Sequence, residues 1–228
     1  MPVAVRTWLR YVVPLTLLAA LAFLPLLYVA SRSGAAADLV KARAQVRLGW
    51  ILAGFAWMSI YLLVAGVAPA VRSVAAGAPL SQWRALADGA RNLVRAFVPW
   101  LIVVFAVALG EVALVIPGFL IGILLSLTGA SVRIGEPPPA ALVDSVAVVR
   151  RRFGHVALIV IAILLANLAI CYALQATFVP HITRKVAATK LLPIRTFVRL
   201  VPVAIAALSP LAACVLAATY GRLTRRTS

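Results

Sequence analysis

The sequence predicts an all-α fold, a polytopic transmembrane helical bundle with about six spans and two interfacial amphipathic helices. Of its 228 residues, 64% are hydrophobic and only 12% are charged, whereas soluble chains are about 45–50% apolar and about 25% charged. The apolar residues fall in runs of roughly 20, the length that crosses a bilayer core about 30 Å thick as a helix. Two arginine-bearing amphipathic segments separate these runs. We therefore expect a single integral membrane domain over residues 1–228.

Five apolar blocks, one of them double, give the spans. The first block exceeds the roughly 7–15 apolar residues of a cleavable signal peptide, so we expect it to remain as a span. The third block would make one helix about 50 Å long, and it carries Pro117 and Gly118 in its middle. We interpret it as two short spans joined by a structural turn at these two residues, with a single kinked helix as the alternative. The predicted spans are residues 11–30, 48–70, 98–116, 119–131, 155–178 and 198–220.

Residues 81–97 and 139–153 have the residue pattern of in-plane amphipathic helices. In the first segment, apolar residues from Trp83 to Phe97 recur at helical spacing, and the arginines fall on the opposite face. Such a helix is expected at the membrane interface, where arginine meets lipid phosphate. Ser81 stands at its start, in the position of an N-cap.

The two amphipathic segments resemble each other. Residues 85–88 (ALAD) align with residues 141–144 (ALVD), and Arg95 aligns with Arg151. We infer a tandem unit of turn, interfacial helix and span pair; chance similarity between two arginine-flanked stretches is the alternative. Two spans separate the copies, so both helices would lie on one side of the membrane. Basic residues are more numerous on that side, which predicts that it is cytoplasmic and that both termini are cytoplasmic too.

A known group of proteins has the same order of features. Residues 113–165 contain an apolar-Pro-Gly turn, a span, a Gly-x-Pro turn, an Ala-Leu-x-x-Ser helix and another span. This resembles the bacterial six-helix membrane proteins related to the membrane domain of glycerophosphodiester phosphodiesterases. The resemblance implies a fold and a bacterial inner-membrane location more than an activity, and no phosphodiesterase domain follows in the sequence, so hydrolysis is not expected. The matched positions are Pro117, Gly118, Ala141, Leu142, Ser145 and Arg151.

Residues for catalysis or metal binding do not group in the sequence. The five acidic residues include no pair at helical spacing that would serve as general acid and base. His155 and His181 lack the spacing of zinc proteases. Cys171 and Cys214 lie in predicted spans, where a thiol behaves as a small apolar group. We therefore expect a protein that is not an enzyme, with no catalytic residue, no cofactor and no metal.

The formal net charge of +17 indicates a membrane surface as the partner. Nucleic acid is not expected, because no polar stretch is long enough to fold as a reading module. Each Lys or Arg near an anionic leaflet contributes about 1 kcal/mol of attraction. The preferred function is a scaffold or accessory protein that engages anionic lipid, or else a protein partner or a second copy, through a basic cytoplasmic face. Its candidate contact residues are Arg84, Arg91, Arg95, Arg150, Arg151 and Arg152.

Glu111 favours the alternative function, a small transporter or permease subunit. A charge inside the bilayer costs about 2.5–3.5 kcal/mol on insertion scales, so ionisable groups there are often functional. Prolines interrupt the predicted spans 11–30 and 198–220. Such breaks can form a transporter's binding site, but isolated proline kinks are common in membrane bundles and are the alternative. Glu111 is also near the turn at Pro117, however, where it would reach headgroup water without any transport role.

Overall fold

The computed structural model describes residues 2–33, 39–113, 115–132, 137–179 and 192–225. Throughout these residues the regular secondary structure is helical, which confirms the all-α prediction. The helices, in chain order, are α1 (Val3–Arg10), α2 (Val12–Ser31), α3 (Leu39–Ala75), α4 (Gln82–Ala113), α5 (Val115–Leu125), α6 (Thr128–Ser131), α7 (Pro138–Arg151), α8 (Phe153–Phe178) and α9 (Leu192–Arg225).

Five helices, α2, α3, α4, α8 and α9, are long and apolar enough to cross a membrane. Four of them contain the predicted spans 11–30, 48–70, 155–178 and 198–220. The structure contradicts the interpretation that prolines break the first and last of these spans, which leaves the alternative of isolated proline kinks. Pro25 lies inside α2, and α9 continues from Leu192 to Arg225. In a bilayer the helix continues past proline, because a helix break would expose additional backbone N–H and C=O groups to hydrocarbon without hydrogen-bond partners.

The amphipathic segment 81–97 is not a separate helix, in contrast to the prediction. It forms the first half of α4, which passes through Pro99 without a break to Ala113. With 32 residues, α4 is about 48 Å long and exceeds the thickness of the hydrocarbon core. The predicted N-cap is confirmed, since the Arg84 backbone N–H donates to Ser81 Oγ at 3.3 Å.

The double apolar block forms two helices rather than one kinked helix. Helix α4 ends at Ala113 and α5 begins at Val115, and a Cβ placed on Gly110 would lie 2.7 Å from the Cα of Gly118. The two helices therefore run side by side. Residue 114 is outside the described residues, and Pro117 lies in the first turn of α5, which begins at Val115, where its missing N–H would have no helical partner anyway.

The fourth predicted span, residues 119–131, is shorter as a helix than expected. Helix α5 has 11 residues and ends at Leu125, and α6 has four, from Thr128 to Ser131. Neither reaches the roughly 20 residues that a crossing requires. The second amphipathic segment, 139–153, is a helix of its own, α7, which ends at Arg151 before α8 begins at Phe153.

The described residues group into two compact units. Unit 1 comprises Met1–Ala22, Ile60–Ala162 and Ser209–Ser228. Its core is the second half of α3, where nearly every side chain from residue 60 to residue 71 is buried. A helix that is apolar and buried on all sides is one surrounded by other helices.

Hydrogen bonds fix the start of α4 within unit 1. The hydroxyl of Tyr11 donates to the Leu80 carbonyl at 2.9 Å, and Gln82 Nε2 donates to the Arg10 carbonyl at 2.7 Å. Gly77, with φ +73°, makes the turn that precedes this segment. These contacts set the position of the polar half of α4.

Unit 2 comprises Phe23–Ser59 and Ile163–Leu208. Trp50 Nε1 donates to Gln175 Oε1 at 2.8 Å, and the Trp50 ring meets the Tyr172 ring edge-on with centroids 5.0 Å apart. The Arg199 guanidinium donates to the Ser31 carbonyl at 2.8 Å, so it satisfies a carbonyl at the C-terminal end of α2.

The two amphipathic segments bury equivalent positions, as expected for a tandem unit. In α4 the buried positions include Ala85, Gly89 and Leu93, and in α7 they include Ala141, Ser145 and Val149. The sequence alignment pairs Ala85 with Ala141, Gly89 with Ser145 and Leu93 with Val149. Within each helix these positions are four residues apart. The copies differ at their ends, because α4 continues into an apolar helix and α7 stops.

Candidate functional site

A stripe of polar side chains runs along the first half of α4. It consists of Asp88, Arg91, Asn92 and Arg95. The intervals of three and four residues put these side chains on one face of a helix. Another face of α4 carries the small buried residues Ala85, Gly89 and Ala96, which allow close packing against neighbouring helices. The polar stripe lies outside this packing face and can therefore border a cavity.

This stripe forms one wall of a cavity of about 570 Å³, here termed the arginine cavity. The rest of its lining consists of Pro69 and Arg72 near the end of α3 and Val132 after α6. Arg72 lies in the last turn of α3, where a cation interacts favourably with the carbonyl end of the helix dipole. The volume falls within the roughly 300–1,000 Å³ that is typical of ligand sites.

The arginine cavity carries a positive charge. Of the described residues that line it, three carry guanidinium groups, Arg72, Arg91 and Arg95, and one carries a carboxylate, Asp88. The Asp88–Arg91 pair is 3.7 Å apart and the Arg91 side chain is 72% exposed, so this ion pair is weak and leaves the guanidinium available. Arginine binds phosphate and carboxylate groups through two parallel N–H donors. The arrangement is suited to an anion, and most of all to a phosphate.

The large apolar side chains of α4 face outward. Trp83 is 79% exposed, Val94 75% and Phe97 47%. Exposed apolar side chains are compatible with the prediction that this segment lies at the membrane interface. Small residues pack inward because they let helices approach closely, whereas large apolar side chains are equally well solvated by lipid.

The six predicted contact arginines do not form one group. Arg91 and Arg95 line the arginine cavity. The other four, Arg84, Arg150, Arg151 and Arg152, are exposed and are not among its lining residues. Arg72, which the sequence analysis did not select, completes the site. Its only distinguishing feature in the sequence is its position at the end of a predicted span.

Glu111 lies in the last turn of α4, two residues before Ala113. The surroundings of its side chain are outside the described residues, so its role as an intramembrane polar site stays a prediction. Its neighbour Gly110 is at the close approach to Gly118 in α5.

Buried hydroxyl groups surround the interruption between α5 and α6. Ser145 Oγ donates to the Leu124 carbonyl at 2.9 Å, and Ser126 Oγ donates to the Ile123 carbonyl at 2.8 Å. Ser131 Oγ lies 2.8 Å from the Thr128 carbonyl and 2.7 Å from the Ala141 carbonyl. These bonds supply partners for carbonyls near a helix end inside an apolar environment.

The histidines and cysteines do not assemble a further site in the described part of the chain. His155 is exposed and His181 is outside the described residues. Cys171 and Cys214 are buried free thiols. Over the described ranges, no three His, Cys, Asp or Glu side chains group as metal ligands would. The expectation of no metal, no cofactor and no catalysis stays a prediction.

The chain matches no family model, no curated protein and no solved structure. The resemblance to the membrane domain of glycerophosphodiester phosphodiesterases accordingly stays a prediction.

Proposed function

We propose that this membrane protein is a scaffold or accessory protein that binds anionic lipid at the arginine cavity. The observation that carries the proposal is the convergence of Arg72 from α3 with Arg91 and Arg95 from α4 on one cavity, among whose described lining residues Asp88 is the carboxylate. A surface that only contacts water needs polar groups but does not need positive charges. The guanidinium groups of Arg91 and Arg95, on one face of α4, would each gain from an anion bound in the concave space beside Arg72.

The position of the cavity along α4 supports a lipid headgroup as the anion. On α4 its lining residues end at Arg95, and the apolar part of the helix follows from Phe97, with Glu111 near its end. The exposed Trp83 is an aromatic of the kind that anchors helices at the headgroup level. We infer a location in a bacterial inner membrane with this face toward the cytoplasm, where anionic lipid attracts basic residues.

The double variant Arg91→Gln/Arg95→Gln tests the proposal. Each lost arginine contact with an anionic surface costs about 1 kcal/mol, so the double variant is expected to bind phosphatidylglycerol at least about tenfold more weakly than the wild type. The measurement is a titration of detergent-purified, delipidated protein with phosphatidylglycerol and phosphatidylcholine, read as lipid-bound protein by native mass spectrometry.

The matched control is Arg150→Gln/Arg151→Gln, which removes the same charge from exposed positions outside the cavity. It is expected to change phosphatidylglycerol binding by less than about twofold, since exposed charges are screened by salt. Equal losses in both variants, or a wild type that does not prefer phosphatidylglycerol to phosphatidylcholine, would contradict a lipid site at the cavity. Size-exclusion profiles verify that both variants fold.

A second candidate function, transport, is favoured by the interruption between Leu125 and Thr128. In transporters, helices broken at membrane depth expose backbone groups that bind substrates or ions. Here the interruption is accompanied by buried hydroxyls of Ser126, Ser131 and Ser145. These hydroxyls bond to backbone carbonyls, an arrangement that already satisfies a break without any ion.

Glu111→Gln separates the two functions. A scaffold in proteoliposomes conducts no protons beyond the leak of empty vesicles, so we expect no difference between the wild type and Glu111→Gln in potential-driven proton uptake. A wild-type flux well above the leak that Glu111→Gln abolishes would replace the scaffold proposal with a transporter. An internal pH-sensitive dye with a valinomycin-imposed potential measures the flux, and lipid binding verifies that the variant is folded.

A further inference from the structure

A second cavity of about 510 Å³ lies in unit 1, and six of its thirteen described lining residues are alanine. The alanine residues come from α3, α6 and α9 and the segment after α3, and they include Ala68, Ala130, Ala217 and Ala218. Each ends at Cβ, so their short side chains leave the space between the helices unfilled. We term this space the alanine cavity.

Arginine is also present at the alanine cavity, and one arginine is shared. Arg72 lines both cavities, and Arg222 lines the alanine cavity alone. The two spaces therefore adjoin at the Arg72 side chain. One is bordered by three guanidinium groups, and the other is bordered mainly by methyl groups, with basic residues at part of its edge.

The guanidinium groups of one cavity and the apolar lining of the other together indicate the class of ligand. An apolar occupant gains van der Waals contacts with alanine methyl groups, and these methyl groups offer no hydrogen-bond partner to water. In a membrane, the apolar molecules at hand are acyl chains. A molecule with an anionic head and an acyl chain would fill both cavities and place its charge beside Arg72.

We propose that the two cavities bind one anionic phospholipid, with its phosphate among Arg72, Arg91 and Arg95 and one acyl chain in the alanine cavity. This inference rests on the proposed function and adds to it that the protein recognises the chain as well as the charge. A site for phosphate alone would need only the arginine cavity. The protein is thus a receptor for whole lipid molecules rather than for a charged surface.

Ala218→Leu tests the acyl-chain part, because the larger side chain occupies part of the alanine cavity without altering any arginine. Ala218 is 9% exposed, and Ala207, on the same helix and exposed, provides the matched control Ala207→Leu. We expect Ala218→Leu to weaken the binding of dioleoylphosphatidylglycerol at least about tenfold. We expect Ala207→Leu to bind it like the wild type.

A chain-length series on the wild-type protein tests the same proposal without relying on a variant. Affinity is expected to rise from glycerol 1-phosphate through dihexanoyl- to dioleoylphosphatidylglycerol, since each buried methylene adds apolar contact. Inorganic phosphate and glycerol 1-phosphate, at the same concentration, are expected not to displace the long-chain lipid. Equal affinity across the series would overturn the acyl-chain site and identify a phosphate site instead.

The two proposals fail in different ways. If Ala218→Leu binds dioleoylphosphatidylglycerol like the wild type while Arg91→Gln/Arg95→Gln loses it, the alanine cavity holds no chain and the headgroup site stands. If Arg91→Gln/Arg95→Gln retains the lipid, the proposed function itself is overturned. Size-exclusion profiles before each titration show whether Ala218→Leu is folded, and the chain-length series decides the question if it is not.

Discussion

Replacing Gly129 with alanine is expected to destabilise the protein by about 3 kcal/mol, the upper end of the usual cost of an overpacked core. A Cβ at residue 129 would lie 2.5 Å from the Tyr61 carbonyl oxygen and 2.8 Å from the Ala65 backbone nitrogen. Both are atoms of the α3 backbone, so no side-chain rotation relieves the clash. Helix α6 would have to move away from α3, the helix at the core of unit 1.

The matched control for this prediction is Gly54→Ala. No atom lies within 4 Å of a Cβ at Gly54, and alanine favours helix over glycine by about 1 kcal/mol, so the control is expected to be neutral or slightly stabilising. SDS-induced unfolding from dodecyl maltoside micelles measures both variants. A Gly129→Ala protein that unfolds at the same SDS fraction as the wild type would show that α6 does not rest on the α3 backbone.

Gly110→Ala is expected to cost about 2 kcal/mol by forcing α4 and α5 apart. A Cβ at this position would meet the Cα of Gly118 at 2.7 Å and its nitrogen at 2.9 Å. The close approach exists only if the two helices form a hairpin. In a single kinked helix, residues eight positions apart would be roughly 12 Å apart along the axis, and the substitution would be harmless.

Gly154→Ala is the control for this second prediction, since no atom lies within 4 Å of the added methyl group at the start of α8. The same SDS titration applies to both proteins. Unchanged stability of Gly110→Ala would argue for the kinked helix and against the hairpin. Destabilisation of Gly154→Ala to the same extent would show that the effect of Gly110→Ala is not specific to the helix contact.

The candidate site was partly predictable from the sequence. The interval between Arg91 and Arg95 puts both on one helix face, and both line the arginine cavity. Arg72 was not predictable as their partner, because the distance between the end of α3 and the middle of α4 depends on the packing of the two helices. Arg150 and Arg151 have the same character in the sequence as Arg91 and Arg95, and only their place in the fold separates them.

The sequence alone identified the apolar segments of the five long helices, although it also predicted a span over residues 119–131, where the structure has the short helices α5 and α6. That information is local, because the length and hydropathy of a run are set against the thickness of hydrocarbon. Prolines misled the interpretation at Pro25, where α2 continues. In a bilayer, the cost of unpaired backbone groups outweighs the local preference of proline to end a helix.

Only the tertiary structure decided which side of each helix faces the protein. Trp83 and Val94 are exposed and Ala85 is buried. In a water-soluble protein the larger apolar side chains would be buried in preference to alanine. Lipid tails solvate large apolar side chains as well as a protein interior does, so hydrophobicity does not distinguish the two faces. What distinguishes them is how closely two backbones can approach, and that depends on residues far apart in the chain.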